Sequence, residues 1–305
     1  MIVSASYRTD LPAFYGARFM NRLRAGYCKV FNPYSRKPYT VDLRPAAVDG
    51  FVFWTKNLTP FLPCLDEVSA LGYPFVVQYT INGYPRELEN RVIDSARPVQ
   101  HMHRLARDYS ALCPVWRYDP VLLSSLTPGQ FHLDQFERLA TALEGATNEV
   151  VISFAQIYEK SQLNLNIAAA HDHFSWHNPE DEEKLALATR FVEMAARHGM
   201  TLSVCSQRSY TVSGAMPARC IDAARLSALA GHSITAPTKG NRAECCCHES
   251  RDIGEYDTCP HGCVYCYAVR SGALAGSRYR AHDPLCEFLL NPHKPDTRKN
   301  ADQRR

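Results

Sequence analysis

Short apolar runs rich in β-branched and aromatic residues recur along the chain, with longer stretches of helical periodicity between them. The runs are residues 2–5, 50–54, 74–79, 114–118, 150–154 and 201–205. Each has the length of a strand and few polar interruptions, the pattern of a strand covered on both faces. The clearest helical stretch is 179–198. Asn178 stands where a cap belongs, Pro179 in the first turn, and residues 180–183 carry acids that suit the positive end of the dipole. Leu185, Phe191, Val192 and Met194 supply its apolar face, and Gly199 ends it. Six strand–helix units in series predict an α/β fold with a parallel sheet. The length suits a partial (β/α)6 TIM-like barrel better than an eight-unit one, with an open doubly wound sheet as the competing arrangement.

In either arrangement, function gathers at the C-terminal ends of the strands. Those ends carry Tyr7-Arg8-Thr9-Asp10, Thr55-Lys56-Asn57, Gln78 to Asn82, Arg117-Tyr118-Asp119, Gln156 and Cys205-Ser206-Gln207. Strand ends are often polar simply because they enter loops. Arg117 and Asp119 stand out, because an Arg and an Asp so close to a buried strand end pair with each other or bind an anion.

The 305 residues are 46% hydrophobic, which excludes global disorder. A formal net charge of +3 is too small to imply nucleic-acid binding by itself. No apolar run is long enough to cross a bilayer, so no membrane role is expected. The first residues lack the basic and apolar regions of a signal peptide, and a cytoplasmic location is the resulting expectation. Three regions are expected: a barrel over 1–235, a cysteine-rich segment over 236–290 packed on its mouth, and a disordered tail over 291–305.

Cysteine adds a specific chemistry. Nine of the 12 cysteines lie from Cys205 onward. Clustering of this kind favours metal or cluster ligation over a disulfide framework. Cys28, Cys64, Cys113 and Cys286 have no close partner in sequence and read as ordinary buried thiols. Cys259, Cys263 and Cys266 have the spacing Cys-x3-Cys-x2-Cys, suited to three corners of a [4Fe–4S] cluster with the fourth iron open. Zinc, with His261 or His248 as fourth ligand, is the alternative. Cys205, Cys220, Cys245 and Cys247 are expected to bind a second centre, with Cys246 turned away because neighbours in an extended segment alternate. Structural zinc is the alternative there too.

At Cys259, Cys263, Tyr265 and Cys266 the chain resembles the radical S-adenosylmethionine (SAM) enzymes, whose hallmark is the same cysteine spacing with an aromatic before the last cysteine. The resemblance implies a [4Fe–4S] cluster, SAM as a further cofactor, a six-unit partial barrel, and an electron donor such as flavodoxin or ferredoxin. The hallmark in that superfamily follows the first strand, whereas here it follows the sixth unit, and no Gly-Gly-Glu motif is evident. Nearly the whole chain also resembles a bacterial family catalogued as domain of unknown function 1848. The resembling stretches are Ser4 to Asp10, Phe51 to Asn57, Trp116 to Pro120, Cys220 to Asp222 and Asp252 to Ala268. Members share a likeness to spore photoproduct lyase.

On this reading Arg117, Asp119 and Lys56 are the candidate catalytic residues. Arg8, Gln78, Tyr265 and Tyr267 are the candidate cofactor-binding residues. Two other functions fit the same residues. One is a non-enzymatic iron–sulfur electron carrier or redox sensor. The other is a zinc-stabilised nucleic-acid binder, for which Arg18, Arg22, Arg24, Lys29, Arg36 and Lys37, interleaved with Tyr27, Phe31 and Tyr34, supply a basic stretch.

Overall fold

A computed structural model describes residues 1–292. Of the tail expected over 291–305, all but the first two residues lie outside the described residues. The six apolar runs form strands close to their expected limits. They are β1 (Ile2–Ala5), β4 (Gly50–Thr55), β5 (Phe75–Thr80), β6 (Pro114–Val121), β7 (Glu149–Phe154) and β8 (Thr201–Val204). Two short strands extend the sheet, β9 (Met216–Pro217) and β10 (Ser250–Asp252), giving the order β10-β1-β4-β5-β6-β7-β8-β9 with every pairing parallel. Among the described residues β9 and β10 are the two ends of this order and do not pair. The fold is therefore α/β with an eight-stranded parallel sheet. A separate antiparallel pair, β2 (Tyr27–Phe31) with β3 (Pro38–Asp42), lies in the basic stretch.

Two apolar layers cover the sheet, as unbroken strands require. On one face Phe51, Phe53, Val77, Tyr79, Trp116, Tyr118 and Ile152 pack against helices. These include α2 (Gly16–Ala25), α3 (Leu62–Ala70), α4 (Ala96–Asp108), α5 (Gly129–Ala142) and α7 (Asp181–Arg197). On the other face Ile2, Val52, Val76, Val115 and Val151 meet Ala218, Cys220, Ile221, Leu226, Ile234 and Cys247. That covering comes from α8 (Ala223–Ala230) and the segments flanking it, so part of the cysteine-rich region, Cys247 included, lies in the core.

Helix α7 begins two residues later than the sequence predicts, with Glu180 at the cap position and no side-chain cap bond. Leu185 is exposed, and Leu187 and Ala188 are buried in its place beside Phe191 and Met194. The basic stretch is not a free cationic surface. Arg18 is fully buried and donates to the Glu287 carbonyl. Arg24 pairs with Glu67, Lys29 with Glu287, and Arg36 with Glu255. No helix among the described residues is long and apolar enough to cross a membrane.

Candidate functional site

The residues after β1 and β4 meet the C-terminal cysteine loop. Asp10 caps the short α1 (Leu11–Phe14) by accepting from the Ala13 amide. The same carboxylate accepts from the Lys56 amide at 2.7 Å and from His261 Nε2 at 2.7 Å. One buried acid thus ties the ends of two strands to the loop that carries Cys259, Cys263 and Cys266. Gly262 gives this loop its tight turn by adopting φ +74°. The three cysteines, which follow the sixth unit in sequence, therefore reach the mouth formed by the first strands.

Cys259, Cys263 and Cys266 are all free and part-buried, and the Cys266 N–H donates to the Cys263 carbonyl at 3.2 Å. Cys263 has Lys56 as its nearest favourable charge. Burial pushes all three thiols up. A metal must displace protons here, and loading falls as pH falls. As a donor set, three free thiols at this spacing fit iron–sulfur ligation by their chemistry. As the side chains stand, no group of three or more His, Cys, Asp and Glu among the described residues is arranged to hold a metal ion.

Lys56 is also held by Glu89, with 2.7 Å between Nζ and Oε1. Tyr265 hydroxyl donates to the same carboxylate oxygen and accepts from Asn82. Glu89 and Asn82 were not legible as site residues, although Asn82 closes the polar run after β5. Beside this group lies a polar cavity of about 160 Å³ lined by Lys56, Asn82, Arg86, Glu89 and Arg138, among others. It is smaller than the roughly 300–1,000 Å³ of ligand pockets, so it can take only part of a ligand.

The other named residues divide between the mouth and the layer beneath it. Arg8 lies 3.7 Å from Asp252 and faces the rings of Tyr7 and Tyr256. Tyr267 donates to the Tyr7 carbonyl at 2.7 Å. Arg117 and Asp119 pair with each other at 2.6 Å, the first of the two alternatives posed by their spacing. Arg117 also lies over Trp54 and donates to Cys220 sulfur at 2.9 Å. Gln78 is 2% exposed, donating to the Cys220 carbonyl and accepting from Arg117, which commits it to the inner covering rather than the mouth. The Asp119 carboxylate also accepts from the Ser153 hydroxyl.

A further residue escaped the sequence reading as a site residue. Asp252 on β10, directly beside Ser4, is 4% exposed and accepts four hydrogen bonds. Ser6 hydroxyl and Gly254 N–H bond Oδ1 at 2.6 and 2.9 Å, and Ser4 hydroxyl and Tyr7 N–H bond Oδ2 at 2.8 and 3.1 Å. This carboxylate shapes the loop that enters the mouth after β1.

A family model described as a domain of unknown function (DUF1848) matches residues 2–268. Among curated proteins none matches. Among solved structures the chain is similar to a "putative alpha-L-fucosidase" from Bacteroides thetaiotaomicron VPI-5482, with 11% identity over 78% of this chain and 85% of the other and a TM-score of 0.22. That score is too low to carry an argument about fold or activity.

Proposed function

With the chain a member of the domain of unknown function 1848 family, we propose that it is a radical SAM-type iron–sulfur enzyme on a partial (β/α)6 barrel. Cys259, Cys263 and Cys266 would hold a [4Fe–4S] cluster. The observation that carries this reading is the triplet itself. Three free cysteines are carried by one loop, which Asp10 ties to the residues following β1 and β4. When bound, the cluster and SAM would supply a carbon radical able to abstract hydrogen from substrate.

The chain's own residues have narrower tasks. Asp10 fixes the cysteine loop against Lys56 through its bonds to His261 and the Lys56 amide. Lys56 keeps its proton because Glu89 outweighs the cost of burial, so a fixed positive charge faces Cys263. Tyr265, whose hydroxyl accepts from Asn82, donates to the Glu89 carboxylate and holds it in place. Arg86 and Arg138 give the adjoining cavity a cationic lining, suited to a carboxylate or phosphate on a ligand.

A second reading has an observation behind it. His261 Nε2 lies 2.7 Å from the Asp10 carboxylate, and its Nδ1 is buried without a hydrogen-bond partner. A carboxylate-oriented histidine of this kind is a common zinc ligand, so a Cys3His zinc site is the competitor. Oxygen-free reconstitution separates the two. Radical SAM chemistry predicts about four iron and four sulfide per chain at the triplet, their loss in Cys263→Ala, and cleavage of SAM on addition of dithionite. A loaded cluster that never cleaves SAM, or a colourless protein that holds zinc at the triplet, would overturn it.

A further inference from the structure

Residues 218–249 cover the inner face of the sheet, yet residues 231–249 contain no helix and no regular strand. A few backbone bonds hold this covering, among them Lys239 to Cys247, His248 to Ile221 and Glu249 to Pro237. Four cysteines meet there from three separate places in the chain. Cys205 follows β8, Cys220 follows β9, and Cys245 and Cys247 come from the irregular segment. Cys220 sulfur lies 3.6 Å from Cys205 sulfur. Cys220 and Cys247 are buried in one apolar cluster, with Cys205 and Cys245 packed against it. Cys246 is turned aside, its sulfur 3.9 Å from Arg208 and 3.8 Å from the Glu244 carbonyl.

We infer that Cys205, Cys220, Cys245 and Cys247 form a site for one tetrahedral metal ion of zinc's class, which staples the irregular covering to the sheet. This site does not rest on the cluster reading at the triplet.

The spacing of one pair favours an ion over a cluster. Four sulfurs about 2.3 Å from one ion at tetrahedral angles stand about 3.8 Å from each other. The Cys205–Cys220 separation of 3.6 Å is close to that value. A cubane spreads its thiolates over separate irons and needs the sulfurs farther apart. Space is short as well: a Cβ on Gly240 would fall 2.3 Å from Cys245 Cβ and 2.8 Å from its sulfur.

Charge is provided for. Four thiolates on a divalent ion leave a net negative charge in a mostly apolar layer. Arg117 donates to Cys220 sulfur at 2.9 Å, and the Ile221 N–H points at Cys247 sulfur from 3.5 Å. As the side chains stand, the four among the described residues are not yet arranged around one point; closing them on one ion would turn the thiols about their Cα–Cβ bonds and release their protons to solvent.

The test is elemental analysis of the full chain purified without air. About one zinc per chain is expected at this site. Cys247→Ser should remove it, and Gly240→Ala should weaken it by crowding Cys245 without touching a ligand. Cys246→Ser should keep it. Cys263→Ala should leave it in place even if the triplet holds a metal of its own, so the two readings fail separately. If Cys247→Ser does not fold, wild-type chain loaded with cobalt(II) should show the intense visible absorption of a tetrahedral tetrathiolate. Zinc-free protein that gives no such cobalt spectrum would overturn the inference. So would Cys247→Ser losing iron and sulfide in place of zinc.

Discussion

Replacing Asp252 with Asn tests how far one buried carboxylate organises the mouth. Its two oxygens are equivalent in demand: each accepts one hydroxyl and one backbone N–H. An amide has a single acceptor oxygen, so in either orientation its NH2 faces one hydroxyl and one N–H. The hydroxyl can rotate and accept. The N–H, from Tyr7 or Gly254, cannot. Leaving one buried N–H unpaired costs about 1–3 kcal/mol, and the bonds that remain lose the charge on their acceptor, which was worth about 1 kcal/mol more than a neutral one. The sum is roughly 3 kcal/mol, a large share of the about 5–15 kcal/mol that stabilises a domain. Urea unfolding of wild type and variant at one pH measures it directly. A loss below about 1 kcal/mol, with the denaturant dependence unchanged, would refute the reasoning, because the four donors would then have satisfied themselves elsewhere.

Two further outcomes are expected. Glu89→Gln leaves the Lys56 ammonium without its carboxylate and should cost about 3 kcal/mol in unfolding experiments, whereas Lys56→Met combined with Glu89→Leu should recover much of the loss; equal stability of the single variant and wild type would show that the pair is not buried in effect. His132 is 0% exposed, with Nε2 toward the Leu122 carbonyl and Nδ1 toward the Tyr118 hydroxyl, and burial lowers its pKa to about 4. The unfolded chain takes up this proton near pH 6.5 and the folded chain only near 4, so stability is full above 6.5 and falls by about 3 kcal/mol as pH drops between them. Unfolding free energies at several pH values should show that slope in wild type and a shallower one in His132→Gln; identical slopes would remove His132 as its source.

Local rules made much of the fold readable. The six apolar runs became six parallel strands because an unbroken β-branched run can be buried on both faces only in such a sheet. Short edge strands were not readable: β9 has two residues and β10 three, too few for any periodicity to register. The Leu185 assignment failed for a related reason, since apolar spacing gives a helical stripe but not which edge of the stripe the neighbouring helix covers.

At the site, the chain order of the residues and their chemistry were determined by the sequence alone. Cysteine spacing named the triplet, whereas the position of Cys246 sulfur beside Arg208 is a matter of the folded chain. Only the tertiary structure decided who meets whom. It placed Asp10 on His261 across 251 positions and Asp252 against Ser4 and Ser6, and it turned Gln78 from a presumed mouth residue into a support for Cys220. Contacts of this range depend on how the strands are ordered in the sheet, and strand order leaves no local trace in the sequence of any one strand.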